Sequence, residues 1–251
     1  MDRRERWRKI RRVWITLGLA FVVIFVGWSL IAYRASALAR TAARSDATVV
    51  VRHDEGIWSF LPVARAAQTM PALVFFPGAL VDPVAYAPLL RAVAAAGFPA
   101  YLVELPRRGA LGGADDPARE QRLDRVLASP SMSKQWLVAG HSRGAVVACQ
   151  VAAERRPGLA GLIVIGSTHP RDVDLGGLTV AVTKIVGTRD GLARRTDVEA
   201  NRGKLPLSTH WVWIEGGNHS QFGWYGFQPG DRRATIDAST QRAMMIRAVL
   251  D

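Results

Sequence analysis

Trp136-Leu137-Val138-Ala139-Gly140-His141-Ser142-Arg143-Gly144 is the stretch that decides the fold. Four apolar residues suited to a buried strand run into a pentapeptide with glycine two places before and two places after a serine. A strand that turns at once into a helix crowds those two positions, so side chains there would collide, and the turn lifts the serine hydroxyl above the sheet edge. The residues that follow, Ala145 to Glu154, read as a helix stopped near Pro157. Strand, tight turn and helix in that order make Ser142 a candidate nucleophile.

Working outward, short apolar runs alternate with amphipathic segments, which predicts strands interleaved with helices and a mostly parallel, doubly wound α/β sheet. Upstream, 48–51 and 57–61 flank Asp54-Glu55-Gly56 as an antiparallel hairpin. Ala72 to Phe76 is the next strand, ending at Pro77-Gly78-Ala79-Leu80, with a helix over 83–96 stopped by Gly97. A strand over 100–105 and a helix over 117–128 lead to the Ser142 turn. Downstream strands fall at 161–165, 180–186 and 210–214, and an amphipathic helix over 234–250 closes the chain.

A serine hydroxyl at neutral pH is a weak nucleophile and needs a base, which in turn needs a group to fix its tautomer. The strand over 180–186 ends in Gly187-Thr188-Arg189-Asp190-Gly191, and the strand over 210–214 ends in Glu215-Gly216-Gly217-Asn218-His219. Asp190 and His219 are therefore the candidate acid and base. Asp172 and Asp174, which follow the preceding strand, are the competing acids, but the glycines around Asp190 suit a tight loop better. His53, His169 and His210 lack such placement, and His141 reads as a packing residue of the turn. The oxyanion of a tetrahedral intermediate needs two backbone N–H donors, one after the nucleophile and one after an early central strand. Arg143 and Ala79 are the candidates, with Leu80 the alternate if the loop register differs by one.

The N-terminus carries a separate signal. Residues 1–12 hold six Arg and one Lys against Asp2 and Glu5, and account for +5 of the net charge of +12. Residues 13–33 then run without a charge for 21 positions, enough helix to cross roughly 30 Å of hydrocarbon. Trp14, Trp28 and Tyr33 sit toward the ends, where amphipathic rings favour the interface, and the basic cluster places the N-terminus on the cytoplasmic side. The expected organisation is a basic cytoplasmic tail (1–12), a transmembrane helix (13–33), a linker (34–46) and an extracytoplasmic catalytic domain (47–251). Ala35-Ser36-Ala37 leaves a cleaved signal peptide as the alternative, although the apolar run exceeds the usual length of a signal core.

At 251 residues and 49% hydrophobic content there is room for one substantial domain. The single cysteine, Cys149, excludes an internal disulfide and reads as buried packing. No Cys/His spacing suggests a metal site. Arg outnumbers Lys 29 to 4 along the whole chain, a compositional bias with no DNA-reading or RNA-stacking motif, so nucleic acid is not expected as a partner.

Together, Phe76-Pro77-Gly78-Ala79 with Val81-Asp82-Pro83 and Ala85-Tyr86, the turn at Ser142, Gly187 to Gly191, and Gly217-Asn218-His219-Ser220-Gln221-Phe222-Gly223 resemble the α/β-hydrolase superfamily. The resemblance covers about Thr48 to the C-terminus and is nearest compact membrane-associated members distantly like dienelactone hydrolase. It implies a Ser142-Asp190-His219 triad, no cofactor, and a small-molecule acyl substrate: an ester, lactone or thioester. A non-catalytic scaffold of the same fold, an acyltransferase and a peptidase are the alternatives. Arg143 departs from the smaller or apolar residue of many relatives, and its side chain is a candidate for acidic-substrate preference. Only 166–179 separates two core strands, where many relatives insert a helical lid; an open cleft suits small or surface-presented esters better than triglyceride. The aromatic loop 221–231 is a candidate pocket wall.

Overall fold

Ala72–Phe76 is buried at every position and forms the centre of an eight-stranded sheet. The computed structural model describes residues 3–63, 70–129 and 131–251; Met1 and Asp2 of the expected basic tail lie outside them. The strands are β1 (Val49–Asp54), β2 (Ile57–Pro62), β3 (Ala72–Phe76), β4 (Ala100–Val103), β5 (Trp136–His141), β6 (Leu159–Ile165), β7 (Ala181–Gly187) and β8 (His210–Ile214), in the order β1-β2-β4-β3-β5-β6-β7-β8. β1 and β2 pair antiparallel around a two-residue turn in which Glu55 (φ 43°) and Gly56 (φ 81°) are both left-handed, the geometry that matches strand twist. β2 meets β4 antiparallel, and every later pairing is parallel. The carboxyl ends of β3 to β8 therefore share one edge, and the loops leaving them carry the candidate site.

Helices cover both faces, as a parallel sheet of near-continuous apolar strands requires. α3 (Ala87–Ala95) and the closing helix α7 (Ala238–Leu250) bury Leu89, Leu90, Val93, Met245 and Ala248 on one face. α4 (Pro117–Leu127) and α5 (Arg143–Ala153) bury Leu123, Val126, Val147, Cys149 and Val151 on the other. No helix is inserted between β6 and β7. Another short helix, α6 (Arg195–Ala200), follows β7.

Three segments differ from the sequence expectation. The helix expected over 83–96 is a 3₁₀ turn, Pro83–Tyr86, followed by α3, because Pro88 has no N–H with which to continue the ladder. The closing helix begins at Ala238 rather than near 234, where the Asp237 carboxylate accepts the Thr240 N–H at 2.8 Å. The expected linker carries helix α2 (Ala37–Ala42), capped by Ser36, with Ala35, Ala39 and Ala42 buried against the α3 face. Ahead of it α1 (Arg3–Ala32) runs unbroken through the basic cluster and is long and apolar enough to cross a membrane.

The end of α1 is joined directly to the domain. The Ala32 carbonyl accepts the Gly226 N–H (3.2 Å), the Tyr33 carbonyl accepts the Asp82 N–H (3.0 Å), and the Ser36 N–H donates to Trp224 (2.8 Å). The Asp82 carboxylate takes the Ala35 N–H at 3.2 Å.

Candidate active site

Ser142 sits between β5 and α5 with φ 54° and ψ −117°, a left-handed conformation that an L residue holds only when its surroundings enforce it. The enforcement is visible at the two glycines. A Cβ on Gly140 would lie 2.2 Å from the Gly144 carbonyl oxygen, and one on Gly144 would lie 2.0 Å from that of Phe76. Backbone on both sides of the turn thus occupies the volume a side chain would need. The Ser142 N–H is tied to the Ile165 carbonyl (3.0 Å), which leaves the half-buried serine at the start of α5 facing a cavity of about 230 Å³. Arg143, Val146, Ser167, His169, Arg171, Leu192 and His219 also line it. A larger apolar cavity of about 310 Å³ lies at the opposite end of the sheet around Leu73, Val93 and Leu137, away from these groups.

His219 reaches the cavity from the loop after β8, and Asp190 approaches it from the loop after β7. His219 Nδ1 donates to Asp190 Oδ2 at 2.9 Å, with both side chains buried. The other carboxylate oxygen of Asp190 accepts the Leu192 N–H (2.9 Å) and the Ala193 N–H (2.6 Å), which hold it in place as an acceptor. A proton fixed on Nδ1 leaves a lone pair on the buried Nε2, which has no hydrogen-bond partner among the described residues, and His219 lines the same cavity as Ser142. The structure therefore brings Ser142, Asp190 and His219 to one place. The competing acids lie elsewhere: Asp172 is exposed and 3.4 Å from His169, and Asp174 accepts the Gly176 N–H in a turn.

The oxyanion candidates separate in the same way. The Leu80 N–H is occupied by the Arg108 carbonyl at 2.8 Å, which removes the alternate register. Neither the Ala79 nor the Arg143 N–H has a partner among the described residues. The Arg143 guanidinium is paired with Asp115 at 2.9 Å on the cavity wall. Of the aromatic loop over 221–231, Phe222 and Trp224 are buried in the α3 face, so they are core and not pocket wall.

Several supporting residues were not singled out from sequence. Asp231 accepts the N–H groups of Gly191 (3.0 Å), His219 (3.2 Å) and Ser220 (2.8 Å), and so clips the Asp190 loop to the His219 loop. Its signal, an aspartate closing a loop of glycines and aromatics, is weak. His141 does more than pack: its Nδ1 is 2.8 Å from the Tyr86 hydroxyl, which accepts the Gly78 N–H at 3.1 Å, and its ring lies 4.5 Å from that of His219. Burial, and then the His219 ring, push the His141 imidazole well below its ordinary range, while burial pushes the Tyr86 phenol up, so both are neutral at pH 7. The Tyr86 hydroxyl then donates to His141 and ties the loop after β3 to the Ser142 turn. Lys184 on β7 is also buried, and its ammonium donates to the His169 carbonyl beneath the cavity. Burial lowers it to about 8. Among the described residues no cluster of His, Cys, Asp and Glu is arranged to hold a metal.

With this geometry in place, the comparisons are direct. The family model described as "Alpha/beta hydrolase family" matches residues 72–243, and the chain belongs to that family. No curated protein sequence matches. Among solved structures, Est1E from Butyrivibrio proteoclasticus is 11% identical, with TM-score 0.54 over 82% of this chain and 100% of its own. A dienelactone hydrolase-like promiscuous phosphotriesterase from metagenomic libraries is 18% identical, with TM-score 0.58 over 79% of this chain and 95% of its own. At such identities the likeness is one of fold. The family carries hydrolytic activity, and the particular chemistry rests on the site.

Proposed function

We propose that the chain is a membrane-tethered serine hydrolase that cleaves a carboxylic ester, lactone or thioester through a covalent acyl-enzyme. The observation that carries this reading is the buried Asp190–His219 hydrogen bond, with Nε2 left without a partner and His219 lining the same cavity as Ser142. Ser142 Oγ attacks the acyl carbon while His219 Nε2 takes its proton. Asp190 holds the imidazole in the required tautomer and stabilises it once charged. The N–H groups of Ala79 and Arg143 receive the oxyanion, His219 returns the proton to the leaving group, and water then releases the acyl chain by the same steps. With no helix over the cleft between β6 and β7, small or surface-presented acyl groups suit it.

Tethering is supported by packing as well as by length. A signal-peptidase cut after Ala37 would sever Tyr33 and Ala35 from the core they fill, so α1 reads as an uncleaved anchor with its basic end cytoplasmic and the domain outside. The test of the chemistry is labelling of the full chain with a fluorophosphonate. Ser142 is the expected adduct, lost in Ser142→Ala, and Asp190→Asn is expected to lower turnover by roughly 10⁴-fold. A folded, intact protein that never labels overturns the proposal.

A further inference from the structure

The end of α1 does not hang from the domain by a flexible tether; it is bonded to the same edge of the sheet that carries the candidate site. Its partners, Asp82 and Gly226, lie in the loops after β3 and β8, which also supply Ala79 and His219. The contact continues inward through aromatic rings. Tyr33 lies 6.0 Å from Tyr225, which lies 6.4 Å from Tyr86, which lies 5.8 Å from His141 beside His219. Trp28, an exposed ring near the end of α1, suits the membrane interface, and Tyr33, five residues on, is already in the domain core, so the loops after β3 and β8 stand close to headgroup level with no spacer between.

The chemistry of that edge fits such a neighbour. Arg34, Arg108, Arg171, Arg189, Arg232 and Arg233, all following α1 or a strand's carboxyl end, form no salt bridge with the described residues. Interspersed among them are the exposed apolar tips Leu111 (78% exposed), Leu192 (43%) and Phe227 (50%). Leu192 also lines the cavity. Cationic side chains close to an anionic leaflet are attracted to it, and apolar tips enter the interfacial zone.

We propose that the carboxyl edge of the sheet is a bilayer-facing surface, held against anionic lipid headgroups, so that the cavity opens at the membrane in which α1 is inserted. The site then meets acyl groups presented at that surface before those free in solution. This rests on α1 being a retained anchor, but not on the triad chemistry.

The experiment uses the full chain carrying one of Leu111→Cys, Phe227→Cys or Leu207→Cys, labelled with an environment-sensitive fluorophore; the native Cys149 is fully buried. Leu207 is fully exposed in the connection leading into β8, at the opposite edge, and serves as the control. Each protein is reconstituted into vesicles of phosphatidylcholine with phosphatidylglycerol that contain headgroup spin-labelled lipid. The expected result is several-fold stronger quenching at 111 and 227 than at 207, falling when phosphatidylglycerol is replaced by phosphatidylcholine or salt is raised. Protein that floats with the vesicles but is quenched at 111 and 227 no more than at 207, or is indifferent to lipid charge, overturns the proposal while leaving the anchor intact. Protein that does not float with the vesicles overturns both.

Discussion

Lys184 and Cys149 give the sharpest test of the packing beneath the site, because their effects on stability oppose each other over a narrow pH range. Burial lowers the Lys184 ammonium from 10.5 to about 8 and raises the Cys149 thiol from 9.0 to about 12. Between pH 8 and 10.5 the unfolded chain holds the lysine proton that the folded protein has released, so stability rises with pH, by about 1.4 kcal/mol per pH unit. Above pH 9 the unfolded chain has lost a thiol proton that the folded protein keeps, and stability falls at the same slope. The two cancel from pH 9 until the buried phenols of Tyr86 and Tyr225, raised above their ordinary 10.0, add a further fall. Because the folded Lys184 is only half titrated at pH 8 and the unfolded thiol is already half titrated at pH 9, the wild-type chain should gain about 0.7 kcal/mol from pH 8 to 9 and then level off. Cys149→Ala should continue to climb toward pH 10. Lys184→Met should not climb at all and should descend above pH 9. At pH 7 that variant removes a buried charge costing about 3 kcal/mol but leaves the His169 carbonyl without its donor, at a cost of about 1–3 kcal/mol, so its net effect is small or stabilising. Urea midpoints of the detergent-solubilised protein, followed by tryptophan fluorescence across this range, measure all three profiles. A wild-type profile flat from pH 8 to 9, or a Lys184→Met variant that climbs equally, refutes the reasoning.

Gly144→Ala places a Cβ 2.0 Å from the Phe76 carbonyl oxygen, where no side chain can yield, and is expected to cost about 3 kcal/mol or more. Gly203→Ala, which meets nothing within 4 Å, should leave the melting temperature nearly unchanged. Asp231→Asn is expected to keep the fold but loosen the clip between the Asp190 and His219 loops, lowering kcat by about 100-fold with little change in KM, as steady-state kinetics on an active ester would show. Below pH 6.5 the unfolded chain takes up a proton that buried, neutral His141 refuses, so stability should fall as pH drops through that value, with part of the fall absent from His141→Gln in denaturant titrations. Removing residues 1–28 should spare the domain, whereas removing 1–43 strips Tyr33, Ala35, Ala39 and Ala42 from the core and should lower its unfolding free energy by roughly 3 kcal/mol.

What was legible in the sequence follows the range of the forces involved. β3, β5 and β6 are largely buried, mostly apolar runs of five to seven residues, the signature of a parallel core strand, and β7 and β8 carry the same pattern less completely, with Lys184 inside one and an exposed His210 opening the other. The fold class and the order of elements could be read from them. Ser142, Asp190 and His219 were legible because each closes such a run beside glycines, which constrain the loop locally. Asp231 was not, since its three N–H partners come from loops up to 40 residues away and no local pattern announces them. Lys184 carried an unused signal: a charged residue inside the central apolar run over 180–186 has to find a buried acceptor, and here it is the carbonyl of His169.

The segment 34–46 is the most instructive difference. Its alanines and arginines resemble a solvated linker, and a six-residue helix is too short to show periodicity or to be stable alone. α2 exists because the hydrogen bonds to Asp82, Trp224 and Gly226 pin its approach and because Arg91 donates to the Ala42 carbonyl at 2.7 Å. Those same bonds make the end of α1 part of the scaffold under the loops that carry His219 and Ala79. The Gly226–Ala32 hydrogen bond and the contact between the Tyr33 and Tyr225 rings thereby join α1 to the loop that carries His219 with no slack segment between them.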